Sequence, residues 1–372
     1  MCPSLRDRTV VQRLFVRDFR NLAEVSFTPA PRLNLIYGDN GHGKTSLIEA
    51  LYVLATTQSF RSNKLLEVIR DGAEQALIRG EIESFGLSRE LKATLGLRGR
   101  SFLLDGKKPR RKVDYALKTP VIAFHPGDLL LASGPASHRR TLLDRIMLYQ
   151  DPTGSDSRVS YKKALRDRQK ILSDKGTRSS ELDAYEQVVA RHGARYAQGR
   201  ARAAQSIVVN LGPSFLAMAA PGLSCETTYE ARGSEDKDVF LRELQNRRHQ
   251  DLARGAATYG PQKDELHISV DGRSARSHAS QGQQRLVTLA MKLAELECIR
   301  AITNIEPMLL LDDVSSELDP GRTTAVFEFL KEAKSQIFVT TTRPEMFQDV
   351  LLSDSLRADF EVLSGSVRKT SN

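Results

Sequence analysis

The chain has 372 residues, of which 40% are hydrophobic and 27% charged, a globular composition that excludes a wholly disordered chain. No run approaches the roughly 18 apolar residues of a membrane span, and the N-terminus, MCPSLRDRTV, has no apolar secretory core. The net charge of +9 is uneven, basic over the first two thirds and acidic over the last, which suits a polyanionic partner and no membrane.

Tryptophan is absent and aromatics are only 6%, which disfavours a platform for stacking unpaired bases. Cys2, Cys225 and Cys298 are odd in number and far apart, so neither a disulfide framework nor a zinc cluster is expected, and a reduced, cytosolic compartment fits best.

Short β-type runs open the chain at Val10–Phe15 and Leu22–Phe27, and a compact apolar strand at Arg32–Tyr37 ends in Gly38. Apolar residues at Leu47, Ile48, Leu51, Tyr52 and Leu54 predict a helix over Thr45–Ala55. Alternating strands follow from Ala76 to Phe124, and Asp105-Gly106 signals a hairpin. Residues 125–257 read as mostly helical. Tyr161, Leu165, Arg168 and Leu172 share one face, and Leu182, Tyr185, Val189, His192 and Tyr196 share another. The polar turn Asp174-Lys175-Gly176 between them predicts a short antiparallel helical hairpin, with Tyr161 and Tyr185 in its seam. Residues 221–240 are polar and irregular. Leu266–Val270 is a strand, and Ser280 opens a helix with Gln283 at the capping-box position. Met308–Leu311 and Gln336–Thr340 are buried strands, and Ser364–Asn372 reads as a polar tail.

Gly38-Asp39-Asn40-Gly41-His42-Gly43-Lys44-Thr45-Ser46 carries the P-loop spacing, with a strand before it and a helix after it. Glycines let the backbone fold so that N–H groups face phosphate oxygens, and the helix adds its positive end. Lys44 is expected at the β- and γ-phosphates of ATP, Thr45 on Mg²⁺, and His42 facing solvent rather than in catalysis. Leu309-Leu310-Leu311-Asp312-Asp313 has the form of a Walker B strand. Asp312 is then the magnesium carboxylate, and Asp313 the general base that polarises the attacking water.

Ser280-Gln281-Gly282-Gln283-Gln284-Arg285, a Ser-x-Gly-Gln helix start ahead of that strand, has the form of the ABC-type signature. Ser316-Glu317-Leu318-Asp319 matches the D-loop of the same class. In ABC-type ATPases the signature serves the P-loop of the opposite subunit, so Ser280, Gly282 and Gln283 imply an ATP-dependent homodimer. Two departures stand out. Asp313 replaces the usual Glu, and Thr340-Thr341-Thr342 lies where a switch histidine is usual. Both point to slow hydrolysis. Gln58, just past the P-loop helix, is a candidate Q-loop ligand of the metal.

On these motifs the chain resembles the RecF family of bacterial recombination-mediator ATPases, related to Rad50 and SMC proteins. Further matching segments are Arg17–Leu22, Ser59-Phe60-Arg61, Pro126–Leu129, Gly134–Asp144 and Gly260-Pro261. A departure is Gln262-Lys263-Asp264-Glu265, where the family usually has His-Arg-Asp-Asp. The resemblance implies an α/β fold, an ABC-type P-loop ATPase head with an inserted helical arm domain. The head is expected over 1–124 and 258–372, and the arm over 125–257. It further implies weak DNA-stimulated ATPase activity and binding of double-stranded DNA at single-strand gaps. RecR is the implied partner, with RecO and RecA in the pathway, in recombinational repair and replication restart.

Candidate DNA contacts are Lys107, Lys108, Arg110, Arg111 and Lys112 at the predicted hairpin tip, with Arg139 and Arg140 as alternatives that also read as salt-bridging residues. Rival readings are a transporter-type ATPase, a long-armed tether and a small-molecule kinase. The basic charge and helical pair fit the first poorly, the short arm counts against the second, and the signature against the third.

Overall fold

Buried residues interspersed with exposed ones mark the first strands, β1 (Val10–Phe19) and β2 (Leu22–Phe27), whereas β3 (Leu33–Tyr37) is buried almost throughout. The structure is a computed structural model and describes residues 8–216, 223–313, 333–348, 352–353 and 355–370. After β3 come α1 (Lys44–Thr56), β4 (Gln75–Ser84), β5 (Leu87–Gly96), β6 (Gly99–Leu104), α2 (Lys112–Ala116) and β7 (Val121–Phe124). Phe85 and Gly86 join β4 to β5 with positive φ at both positions (54° and 68°), a type I′ pattern matched to strand twist.

The next stretch holds the helices α3 (Leu130–Ser133), α4 (Ala136–Gln150), α5 (Pro152–Lys175) and α6 (Ser180–Leu216). It continues through β8 (Cys225–Glu230), α7 (Lys237–Asn246), α8 (Arg248–Arg254), β9 (Glu265–Val270), β10 (Arg273–Ser274), α9 (Ala275–His278) and α10 (Gln281–Thr303). β11 (Met308–Leu311), β12 (Ile337–Thr341), β13 (Arg357–Leu363) and β14 (Ser366–Thr370) complete the described chain.

The chain divides into two compact units, one of residues up to Asp128 and from Ile299 onward, the other Leu129–Cys298. In the first, a six-stranded sheet has the order β14-β13-β3-β12-β11-β7, and a five-stranded antiparallel sheet the order β2-β1-β4-β5-β6. β3, β11 and β12 are almost continuously apolar and buried, as parallel strands covered on both faces must be. The P-loop helix α1 touches strands of both sheets and is buried nearly all round, which explains its non-amphipathic sequence LIEALYVLA. The predicted C-terminal tail is instead a hairpin: β14 pairs with β13 along Asp359–Leu363, and Val367 packs on the core.

In the second unit α5 and α6 form the predicted antiparallel pair. Ile171 and Leu172 meet Leu182 near the turn, while Tyr161 and Tyr196, farther from it, place their rings 5.8 Å apart. The helix runs through Lys175, and Gly176, at φ 77°, ends it. α6 is far longer than the repeat suggested, with 37 residues. Tyr185 is exposed and outside the seam, whereas Tyr161 is buried in it. At the centre Arg168, wholly buried, donates to Glu186 (3.0 Å), Asp251 (2.7 Å) and the Leu244 carbonyl (2.9 Å). Removing either carboxylate would leave that buried charge with a single partner, and removing both would leave it uncompensated.

The unit boundary differs from the expected one, falling after Cys298 rather than after residue 257. The cause is pairing. β9 hydrogen-bonds to β8 from Glu230↔Glu265 to Cys225↔Val270, and Asp264 meets Arg200 at 3.0 Å. The stretch 221–240, unreadable as sequence, supplies β8 and the start of α7.

Candidate functional site

The loop between β3 and α1 is shaped by close approaches that only glycine allows. A Cβ on Gly38 (φ 144°) would lie 2.3 Å from the Val362 carbonyl oxygen, and one on Gly43 (φ 114°) 2.9 Å from Leu22. Gly43 caps α1 without a side chain, so the first N–H groups of that helix keep their positive end for an anion. Lys44 opens α1, and its ammonium donates to the carbonyls of Gly38 (2.6 Å) and Asp39 (2.8 Å). Burial pushes the Lys44 pKa down, while Asp313, Asp312 and Asp39 pull it up. His42 is not solvent-facing. It is half-buried, with Nδ1 3.3 Å from the Val362 carbonyl, and its own carbonyl accepts from Gly365 N–H.

β11 delivers Asp312 to the same place. Thr45 Oγ1 and Thr340 Oγ1 each donate to Asp312 Oδ1 at 2.8 Å, and Asp313 N–H donates to Thr340 Oγ1 at 2.9 Å. Burial raises the Asp312 pKa, the two hydroxyls lower it, and Asp313 raises it again. Asp313 itself sits at φ 51°, in the left-handed region.

Of these groups Gly43, Lys44, Thr45, Asp313 and Thr340 line a cleft of about 760 Å³ whose cations are Arg20, Lys44, Arg61 and Arg70. The glycine cradle, the uncapped helix end and the buried Lys44 fit the phosphates of a nucleoside triphosphate. The Thr45 hydroxyl and Asp312 carboxylate are the hard oxygen donors that suit Mg²⁺.

Several positioning residues have no role that the sequence assigns, although Arg20, Asn21, Ser59 and Arg61 lie in the family-matching segments. Asn21, in the β1–β2 turn, donates to the Gly41 carbonyl and accepts from Ser46 Oγ, both at 2.8 Å. Glu49, wholly buried on α1, takes two bonds from Arg20 (3.0 and 2.8 Å), one from Ser59, and a long one from Arg61 (3.4 Å). The available signal was one charged residue inside an otherwise apolar helix. Gln58 lies exposed in the turn closing α1, where its N–H and carbonyl bond the Thr56 hydroxyl, and the cleft lining does not include it. The geometry therefore does not support Gln58 as a ligand.

The signature residues stand at the start of α10. Ser280 Oγ accepts from Gln283 N–H (3.2 Å) and Gln283 Oε1 from Ser280 N–H (2.9 Å), a reciprocal capping box. Gly282 occupies the first turn. The D-loop match, 316–319, lies outside the described residues.

Of the DNA candidates, Arg139 is corrected. It is buried, forks onto Glu265 (2.9 and 3.1 Å), and donates to the carbonyls of Leu131 and Gly134. Arg140 is half-buried and donates to the Asp264 carbonyl at 2.8 Å. Both side chains are thus engaged within the second unit. Lys107, Lys108 and Arg110 are exposed on a connector rather than a long hairpin tip. Past the Asp105-Gly106 turn only a Leu104–Lys107 bridge forms, Arg111 is paired with Asp114, and Lys112 opens α2.

The family profile described as RecF/RecN/SMC N terminal domain matches residues 10–360. "DNA replication and repair protein RecF" of Myxococcus xanthus (strain DK1622) is 36% identical over 366 residues, covering 93% of this chain and 94% of that protein. Its namesake in Geobacter sulfurreducens is 33% identical, covering 94% and 96%. Among solved structures, the recombination mediator protein RecF with ATP in the RecFOR pathway superposes with a TM-score of 0.86 at 26% identity, covering 98% of this chain and all of that one. The Smc head domain of Pyrococcus furiosus with an extended coiled coil gives 0.56 at 17%, covering 98% and 96%, a likeness of fold alone.

Proposed function

The chain belongs to the RecF family, with the ABC-type ATPase head fold, and on that footing we propose that it is an ATP-dependent DNA-binding protein of the RecFOR recombination pathway. The observation that carries this reading is the convergence of Lys44, Thr45 and Asp312 on one phosphate cradle. Lys44 and the α1 N-terminus hold the triphosphate, and Thr45 and Asp312 hold Mg²⁺, which neutralises phosphate charge when bound. Asp313 takes the proton of the attacking water. Hydrolysis is slow, since Asp313 is one methylene shorter than Glu and threonines stand where a switch histidine is usual, and its stimulation by DNA is what the family resemblance implies. Ser280, Gly282 and Gln283 complete the site of a second copy, so ATP drives dimerisation.

The dimer binds duplex DNA beside single-strand gaps in the cytoplasm, on the nucleoid, and with RecR and RecO supports loading of RecA and replication restart. Lys107, Lys108 and Arg110 are candidate phosphate contacts. The transporter-subunit reading is not favoured, because DNA repair proteins match nearly the whole chain. Light scattering with and without ATP and Mg²⁺, then with gapped duplex added, tests the proposal. A doubled mass with ATP and a further complex with DNA are expected. A chain that stays monomeric under all conditions overturns it.

A further inference from the structure

We propose that the outer face of α5 docks the sugar-phosphate backbone of duplex DNA, an assignment that rests on the DNA-binding reading above. The helix buries Tyr161, Ala164, Arg168 and Leu172 on one side. At 3.6 residues per turn, Lys162, Lys163, Arg166 and Lys170 fall within an arc of about 100° on the opposite side. All four are exposed.

What sets this face apart is the absence of compensation. Every other cation on α5 has a carboxylate: Arg158 pairs with Asp144 (3.2 Å), Arg168 with Glu186 and Asp251, and Lys175 with Glu181. Among the described residues none of Lys162, Lys163, Arg166 and Lys170 makes an ion pair or a side-chain hydrogen bond. The helix's own acids, Asp156, Asp167 and Asp174, border the arc about 20–40° beyond its Lys163 edge, yet among the described residues none of them is in ion-pair contact with the four cations. Positive potential therefore accumulates. Lys162 is harder to protonate than an ordinary lysine, through partial burial and then through Arg158, Arg200 and Arg140 nearby, with only Asp144 opposing. An incoming anion relieves that repulsion.

The dimensions suit a duplex. Lys162, Arg166 and Lys170 rise about 6 Å per step along the helix, and over the resulting ~12 Å a B-form duplex presents roughly seven phosphate charges. The arc contains no aromatic residue on which unpaired bases would stack, Pro152, Ser155, Val159 and Ser173 being its other members. Contacts of this kind position a duplex without reading its sequence.

The test uses the full chain with ATP and Mg²⁺, and fluorescence anisotropy of a labelled duplex across a salt series. One variant carries Lys162→Glu, Lys163→Glu, Arg166→Glu and Lys170→Glu. A second carries glutamine at the same positions, to separate lost attraction from added repulsion. A third carries Lys107→Glu, Lys108→Glu and Arg110→Glu. ATP binding and the melting curve report folding. Both α5 variants are expected to lose at least about tenfold in duplex affinity. The slope of log K against log salt should flatten by about 0.9 per lost phosphate contact, with the glutamine variant still binding ATP. If wild type binds duplex and both α5 variants keep its affinity and slope, the assignment is overturned, whatever the third variant does. Loss of an acidic partner protein with duplex binding intact also overturns it. If wild type itself binds no duplex, the DNA reading fails first, which is a separate result.

Discussion

Thr340 Oγ1 lies 2.8 Å from Asp312 Oδ1 and donates to it, while accepting from the N–H of Asp313 at 2.9 Å. One hydroxyl thus ties the Asp312 carboxylate to the Asp313 backbone at the end of β11. Burial raises the Asp312 pKa, and the hydroxyls of Thr340 and Thr45 work against that rise. Thr340→Val keeps the shape and β propensity of β12 but removes one donor, so ionised Asp312 becomes harder to form. A hydrogen bond to a charged group contributes about 1.5–3 kcal/mol, so the Mg²⁺ needed for half-maximal ATP binding should rise about tenfold or more. The acid limb of ATP binding should move to higher pH, and Thr340→Ser should restore both. ATP titrations across Mg²⁺ and pH decide it: a valine variant with wild-type curves removes Thr340 from the site.

Asp313→Asn separates binding from turnover. Asparagine tolerates the left-handed φ of 51° at this position, so the loop should survive the change. ATP binding is expected within about threefold of wild type, while hydrolysis falls by about 10²-fold or more, the usual effect of losing a general base. The ATP-bound dimer should accumulate. Single-turnover phosphate release is the measurement, and an unchanged rate places the base elsewhere.

Ser280→Arg replaces the hydroxyl of the capping box with a bulky cation at the exposed start of α10. Each head should still bind ATP through its own Lys44, yet fail to dimerise and to hydrolyse. Lys44→Met should do the converse, losing ATP binding by at least about tenfold, since charge-assisted contacts to phosphate are among the strong ones. Mixing the two variants should restore one composite site. If Ser280→Arg dimerises with ATP as wild type does, the two-headed arrangement is wrong.

Glu295 ties α10 to α4. It is buried, which by itself would raise its pKa, but Arg145 (2.6 Å) and Lys292 (2.6 Å) outweigh burial and hold it at about 2 against an ordinary 4.5. A carboxyl depressed in the folded state contributes stability that is present above its unfolded pKa and lost as pH falls through the folded one. Wild type should therefore lose stability between about pH 4.5 and 2. Glu295→Gln should be less stable at pH 7, because buried Lys292 and half-buried Arg145 lose their carboxylate, and should show a flatter acid limb. Urea melts from pH 7 to 3 check both, and parallel acid limbs would refute the coupling.

The nucleotide cradle was legible in the sequence because its chemistry is local. Gly38, Gly43, Lys44 and Thr45 sit within eight consecutive residues, and the glycines are required by the 2.3 Å approach that a Cβ on Gly38 would make to the Val362 carbonyl and by the φ of 114° at Gly43. The capping box at Ser280 and Gln283 is equally local, a contact across three residues. The strand ending in Asp312 was legible because a parallel strand buried on both faces must be continuously apolar.

What joins distant segments was decided only by the fold. Asn21 holds Gly41 and Ser46, Arg20 and Ser59 hold Glu49, and Thr340 holds Asp312 across 28 positions, with no periodic signal for any of them. Arg139 was ambiguous between a phosphate contact and a salt bridge until β9 brought Glu265 against it. Lys162, Arg166 and Lys170 look no different in sequence from Arg158 and Lys175. Their lack of a carboxylate follows from which face of α5 meets α6, and that is set by the packing of Tyr161 and Leu172. By itself the sequence determined the chemistry that a few adjacent residues can perform. The tertiary structure decided which charges are neutralised, because a side chain's partner depends on what the fold places within about 4 Å of it.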